Sequence, residues 1–318
     1  MKFLKTKTNI DFMGKRRAAL VFSVVLITAA VGALPTIGLN FGLDFTGGTL
    51  IEVSFPEAPD TGKVRDTMSD AGMEAMVQTF GAANDIVVRI PPVEDGDSSA
   101  EISTRVLAAL GEGFEGDIDV RRVEFVGPQV GEELTDQGIL AVIYALIGIF
   151  IYVMMRFQWR FSVGAVVALV HDILVTMGIL SLLQIEFDLT VVAALLAVIG
   201  YSLNDTIVLF DRIRENFPRL GSKLTSVEVV NTSVNQTLSR TLMTSLTTLL
   251  VLIALFTFGG EIIHGFAATL IIGVLIGTYS SIYVASTSLL WLGVSKYDLM
   301  VVEKEGADAA AQSRLNQP

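Results

Sequence analysis

The chain has 318 residues, 52% of them apolar and only 17% charged, with a mean hydropathy of +0.61. Soluble domains carry about 25% charged residues, so much of this chain belongs in lipid. Cysteine is absent and histidine occurs only at His171 and His264, which excludes disulfides, thiolate chemistry and a multi-histidine metal set. The net charge of −11 is concentrated: residues 38–135 hold 19 acidic and six basic side chains, net −13, and the other 220 residues are net +2. Such acidity disfavours nucleic-acid binding, because phosphates require a basic surface.

In chain order, a basic N-terminus (residues 1–17, with Lys2, Lys5, Lys7, Lys15, Arg16 and Arg17 against Asp11) leads into a first apolar run, Ala18–Ile37. A basic start before an apolar run also fits a cleaved signal peptide, with Ala30–Ala33 cleavage-like, but the run is long for that and favours a retained span. Next comes Gly42-Leu-Asp-Phe-Thr-Gly-Gly48. Paired Gly47 and Gly48 permit positive φ and close backbone approach, and Asp44 can brace the turn.

The segment 40–136 alternates strands and helices. Strands are predicted over Gly48–Phe55, Glu74–Gly81, Asn84–Ile90 and Asp117–Val126, with a turn at Ala82–Ala83. Helices are predicted over Asp60–Gly72, capped by Asp60 or Thr61, and Ser98–Leu110, capped by Ser98 or Ser99. The order βαββαβ is that of a small α+β ferredoxin-like domain. The acidic loop Pro91–Ser99 is expected to be mobile. The domain has no nucleophile elbow, P-loop or metal-spaced acidic cluster, so no enzyme activity, cofactor or metal is expected, and its carboxylates read as a solvated surface. A second linker, Gly127-Pro128-Gln-Val-Gly131, leads back toward the spans.

Five more apolar runs follow within residues 137–293: Ile139–Met155, Phe161–Leu183, Leu189–Phe210, Thr241–Phe258 and Phe266–Gly293. Each can cross a bilayer core as a helix, giving six transmembrane helices. Asp211–Asn216 reads as a charged helix end, and the Ser/Thr/Asn-rich stretch Thr225–Ser239 as a helix along the membrane surface. Lysine and arginine gather at the N-terminus, at Arg156 and Arg160, and at Arg212, Arg214, Arg219 and Lys223, whereas Glu186–Asp188 and Gly259–His264 carry none. One threading fits every loop: both termini cytoplasmic, including a tail at 294–318, with 18–39 as the first span and 40–136 outside.

Polar residues inside the spans carry the functional reading. A charged group at mid-bilayer costs at least about 2.5–3.5 kcal/mol on insertion scales, so it has a partner or a task. The fourth span holds Asn204 and Asp205 beside a small-residue stripe, Ala193, Ala197, Gly200 and Asn204, that lets another helix approach. The third span holds His171 and Asp172, and the fifth opens with Arg240, followed on one face by Thr244 and Thr247. Converging, these groups form either a proton relay, in which arginine movement switches a half-buried carboxylate between capture and release, or a fixed polar network holding the bundle. For His171 and Asp172 the fixed role is the better reading.

AVIGYSLNDTIVLFDRIREN (197–216) resembles the fourth-span signature of the SecF branch of the SecD/SecF family, and QTLSRTLMTSLTT (236–248) its fifth-span entry. GLDFTGG and FVGPQVG are similar to the family's two domain-flanking motifs, and LVHDILVT to its third span. The resemblance covers about residues 12–295. It implies an auxiliary subunit of the Sec preprotein translocase in the bacterial inner membrane. It implies a complex with SecD as two RND-type halves, docking on the SecYEG channel, and use of the proton-motive force on unfolded preproteins. It also implies that Asp205 is the proton-pathway aspartate and Arg240 its partner. A static translocase scaffold and an RND-type small-molecule exporter stay open as alternatives, although the external domain is small for an exporter.

The threading is testable on a cysteine-free background: single cysteines at Glu94 and Ser222 are expected to label from opposite membrane faces, and labelling of both from one face would overturn it.

Overall fold

The computed structural model describes residues 8–92, 99–114 and 116–295. Lys2, Lys5, Lys7, most of the acidic loop, the cap candidate Ser98 and the tail from residue 296 lie outside the described residues.

Six helical segments are long and apolar enough to cross a membrane. They are α1 (Arg16–Thr36), α5 (Pro128–Arg156), α6 (Trp159–Leu183), α7 (Leu189–Leu220), α8 (Ser226–Phe258) and a last span built from α9 (His264–Ser280), a π-helical turn over Ser281–Ala285 and α10 (Ser286–Trp291). Over half of the apolar windows of α6 and α7 is buried within the chain, against 6% of that of α5; α6, α7 and α9 therefore form the centre and α5 lies outside it. The tightest pairing is α7 on α9, where Gly273 and Gly277, a G-x-x-x-G pair, sit against Val198 and Ser202 with no room for a Cβ. Small residues four apart let backbones approach, which in lipid replaces the missing hydrophobic drive.

Two expectations change here. The Gly127–Gly131 stretch is not a linker: Gly127 is the N-cap of α5 and Pro128 its first residue, where proline's missing N–H costs nothing. The Thr225–Ser239 stretch is not a separate surface helix. It forms the first turns of α8, started by a capping box in which Thr225 and Glu228 satisfy each other's backbone N–H groups. The Ala193/Ala197/Gly200/Asn204 stripe faces outward: all four residues are exposed among the described residues, which leaves it open to a helix of another chain.

Between α1 and α5 stands the α+β domain. Its strands are β2 (Gly48–Ser54), β3 (Met76–Phe80), β4 (Ala82–Ile90) and β5 (Asp119–Val126), its helices α3 (Thr61–Asp70) and α4 (Ser99–Gly113). The sheet is wholly antiparallel in the order β3-β4-β2-β5, the ferredoxin-like arrangement expected of βαββαβ. Asp60 caps α3 by accepting from Gly62 N. The hairpin turns on Gly81 (φ +74°), so Ala82 and Ala83 belong to β4 and not to the turn. Alternation sends Ile51 and Val53 of β2 inward with Ile86, Val88 and Ile90 of β4, against Val64 and Met68 of α3 and Val106 and Leu110 of α4. The opposite face carries a smaller apolar cluster, Leu50 and Val87 with Leu43.

That second face meets the spans. After α1 the chain forms β1 (Asn40–Phe41) and a one-turn helix α2 (Leu43–Thr46), and β1 pairs in parallel with β6 (Glu186–Phe187) between α6 and α7. Arg89 of β4, 8% exposed, donates to the Phe41 carbonyl at 3.1 Å and to Glu186 at 2.5 Å. Asp44 does not brace its own turn; its Oδ2 accepts from Leu189 N at 2.9 Å, at the start of α7, while Asp188 caps Val191 N at 2.8 Å. Gly47 and Gly48 take φ +67° and +114° to turn from α2 into β2, and Gly131 lets α5 lie directly on the Phe45 carbonyl and Gly47 N. The two flanking motifs are thus halves of one joint.

The main sheet core needs nothing from the spans. A fragment of residues 48–126 is expected to unfold cooperatively in urea, and Met68→Ala, at a fully buried position, is expected to destabilise it by about 2–5 kcal/mol. A fragment without a cooperative transition would show that the core depends on the joint.

Candidate functional site in the membrane spans

The polar groups of the spans form two sites, one helical turn apart along α7. The first centres on Asp172 of α6, 1% exposed. Its Oδ1 lies 3.0 Å from His171 Nδ1, and its Oδ2 accepts from Ser202 of α7 at 2.5 Å and from Ser280 of α9 at 2.7 Å. Both oxygens are satisfied, and the carboxylate joins the three central helices. Ser280 immediately precedes the π-helical turn Ser281–Ala285.

The second site centres on Asp205, three residues after Ser202 and 3% exposed. Its Oδ1 has a long contact to Asn204 Nδ2, at 3.5 Å, and its Oδ2 has no hydrogen-bond partner among the described residues. Thr244 and Arg240 of α8 lie near the carboxylate, yet no ion pair joins Arg240 to Asp205 among the described residues. The Thr244 hydroxyl bonds the carbonyls of Arg240 and Thr241, at 3.1 and 2.8 Å. Thr247 is exposed and returns its hydroxyl to the carbonyls of Met243 and Thr244. Asn204 and Arg240 are also exposed on the outer surface of this chain.

His171 and Asp172 therefore do not converge with Asp205 and Arg240; the two sites share α7, with Ser202 and Asp205 on successive turns. The sequence reading missed Ser202 and Ser280 as partners of Asp172. Ser202 stood inside the quoted fourth-span motif, but a serine in an apolar helix ordinarily bonds its own preceding turn. It also missed Arg89 and Glu186, because nothing in their spacing of nearly a hundred residues signals a contact. Among the described residues no group of His, Asp and Glu could hold a metal ion.

The family model for "Protein export membrane protein SecD/SecF, C-terminal" matches residues 106–295, and that for the "SecD/SecF GG Motif" residues 32–55. The protein translocase subunit SecF of Vibrio alginolyticus is 52% identical over 310 residues, covering 96% of this chain and 98% of its own. That of Pseudomonas aeruginosa is 51% identical, covering 92% and 94%. Among solved structures, the crystal structure of SecDF, a translocon-associated membrane protein from Thermus, matches with TM-score 0.80 and 37% identity over 92% of this chain. A SecDF crystal structure in a super-membrane-facing form matches with TM-score 0.66 and 36% identity over 97%. The present chain spans 39% of the length of the former and 40% of the latter. With half its residues shared over nearly its whole length and both family models in place, the chain belongs to the SecD/SecF family of protein export membrane proteins.

Proposed function

We propose that the chain is the SecF-type subunit of a bacterial preprotein translocase. In this reading it pairs with a SecD-type subunit, docks on the SecYEG channel and uses the proton-motive force to draw unfolded preproteins outward. Both termini are cytoplasmic and residues 40–136 lie on the outer side of the inner membrane. Asp205 carries the proton, and Arg240 governs when it is held.

The observation that carries the proton role is the contrast between the two buried carboxylates. Asp172 has donors on both oxygens from three helices, whereas Asp205 is just as buried with one oxygen free and a guanidinium nearby that is not locked onto it. A carboxylate with donors on both oxygens is held in its charged form and has little reason to change protonation. One with a free oxygen in low dielectric accepts a proton readily, and approach of a guanidinium expels it. One charge crossing 100 mV supplies about 2.3 kcal/mol per proton. The partner assignment rests on the exposed stripe of α7: Ala193, Ala197 and Gly200 invite a close helix, and the amide of Asn204 is costly against hydrocarbon without one.

Asp205→Asn keeps size and hydrogen bonding but removes the proton. The assembled complex is expected to form normally and to lose its response to the gradient in preprotein translocation assays; wild-type dependence in that variant would leave a static scaffold as the correct reading. Arg240→Lys keeps the charge but loses the planar fork, so translocation is expected to fall further than charge alone implies.

Asp172→Ala is expected to behave differently. It leaves Ser202, Ser280 and His171 without their acceptor, at about 1–3 kcal/mol for each buried group that finds no substitute. The result is a lowered Tm of the purified complex, with gradient dependence retained in whatever complex folds. A complex of unchanged Tm that has lost gradient dependence would move the proton role to Asp172.

A further inference from the structure

Two cavities that Asp205 does not line lie side by side on the bundle and share lining residues. One, of about 350 Å³, runs between α1, α6 and the last span and is apolar, with Val24, Val170 and Leu174 among its walls. The other, of about 410 Å³, lies at the basic membrane face and contains Arg16 and Arg17. Leu20, Thr287 and Trp291 border both.

Along α1 the sequence Val24, Leu20, Arg16 and Arg17 passes from apolar to cationic. Along the antiparallel last span Thr287 and Trp291 mark the same transition. Neither arginine has a carboxylate partner among the described residues; Arg16 donates only to the Met13 carbonyl, at 2.7 Å, and Arg17 is exposed. Thr287 borders both cavities, is 5% exposed, and its buried hydroxyl has no hydrogen-bond partner among the described residues. Trp291, 73% exposed, stands at the depth where indoles favour the headgroup boundary.

We propose that this cleft binds one anionic phospholipid. An acyl chain lies in the groove between α1 and α6, the glycerol ester region meets the Thr287 hydroxyl beside Trp291, and the phosphate sits on Arg16 and Arg17. The depth order of apolar wall, lone hydroxyl, indole and paired cations matches that of a phospholipid. A transmembrane helix from another chain would fill the groove but leave two guanidinium groups uncompensated at its foot. A free phosphate would satisfy the arginines but leave the groove empty. Basic pockets between spans at the cytoplasmic side are suited to anionic headgroups for the same electrostatic reason. The site is independent of the Asp205 reading, since it shares no residue with it.

The test is photo-crosslinking of the full chain, assembled with its partner subunit in phosphatidylcholine vesicles. The vesicles contain phosphatidylglycerol or, in parallel, phosphatidylcholine with a photoreactive acyl chain, and adducts are mapped by peptide mass spectrometry. Adducts on the α1 and α6 walls of the groove are expected to favour phosphatidylglycerol by about fivefold per arginine. The preference is expected to vanish in Arg16→Gln/Arg17→Gln and to survive millimolar inorganic phosphate. Val170→Phe, which narrows the groove and keeps both arginines, is expected to cut groove adducts at least in half and serves if the arginine variant does not assemble. Equal labelling by the two lipids, a preference that persists without the arginines, groove adducts undiminished by Val170→Phe, displacement by inorganic phosphate, or no groove adduct with either lipid because a helix covers it, would each overturn the proposal.

Discussion

Asp172 accepts from a side chain on its own helix, one on α7 and one on α9, and around those three helices the rest of the bundle is arranged. Where lipid surrounds a protein, burying apolar surface drives no helix together, so contact depends on close packing and on polar groups that need partners. The G-x-x-x-G pair of α9 allows the approach to α7, and the carboxylate fixes its register by requiring Ser202 and Ser280 at one depth. Outer helices then need only pack. α1 lies on α6 where Gly178 meets Ala30, and α5 lies along the edge with almost none of its apolar window buried.

This fixed node gives meaning to its neighbour. Ser202 is held in place by Asp172, and Asp205 follows one turn later on the same helix. The second carboxylate therefore sits on a backbone that cannot readily shift, while its own oxygen and the facing arginine are unlocked. Rigidity on one side of α7 and unmet polarity on the other is the arrangement that the proposed carrier role requires, a fixed acceptor beside an arginine not locked onto it.

The joint at the N-terminal end of α7 ties the same helix to the α+β domain. Four orphan N–H groups begin any helix, and here one is satisfied by Asp188 beside it and another by Asp44, from the loop that leads into the domain. Arg89, on the sheet itself, clamps Glu186 just before that helix. The domain and the N-terminus of the helix that carries Asp205 are thus joined directly, by hydrogen bonds and an ion pair.

By itself the sequence determined what depends on local chemistry. Apolar runs longer than the bilayer is thick must be helices, because only helices satisfy their own backbone in lipid; strand alternation and Asp60 similarly marked the βαββαβ domain. The third-, fourth- and fifth-span motifs and their charged residues were legible because an ionisable group in an apolar run stands out. Tertiary structure decided which of those groups meet. Periodicity places Asp172 on a helix but cannot say that Ser202 and Ser280, 30 and 108 residues away, converge on it, nor that Arg240 stops short of Asp205. It decided, too, that Asp44 serves a helix 145 residues downstream and that the α7 stripe faces outward. Such pairings depend on how helices rotate and cross, and that is set by contacts among all of them at once and not by any one segment.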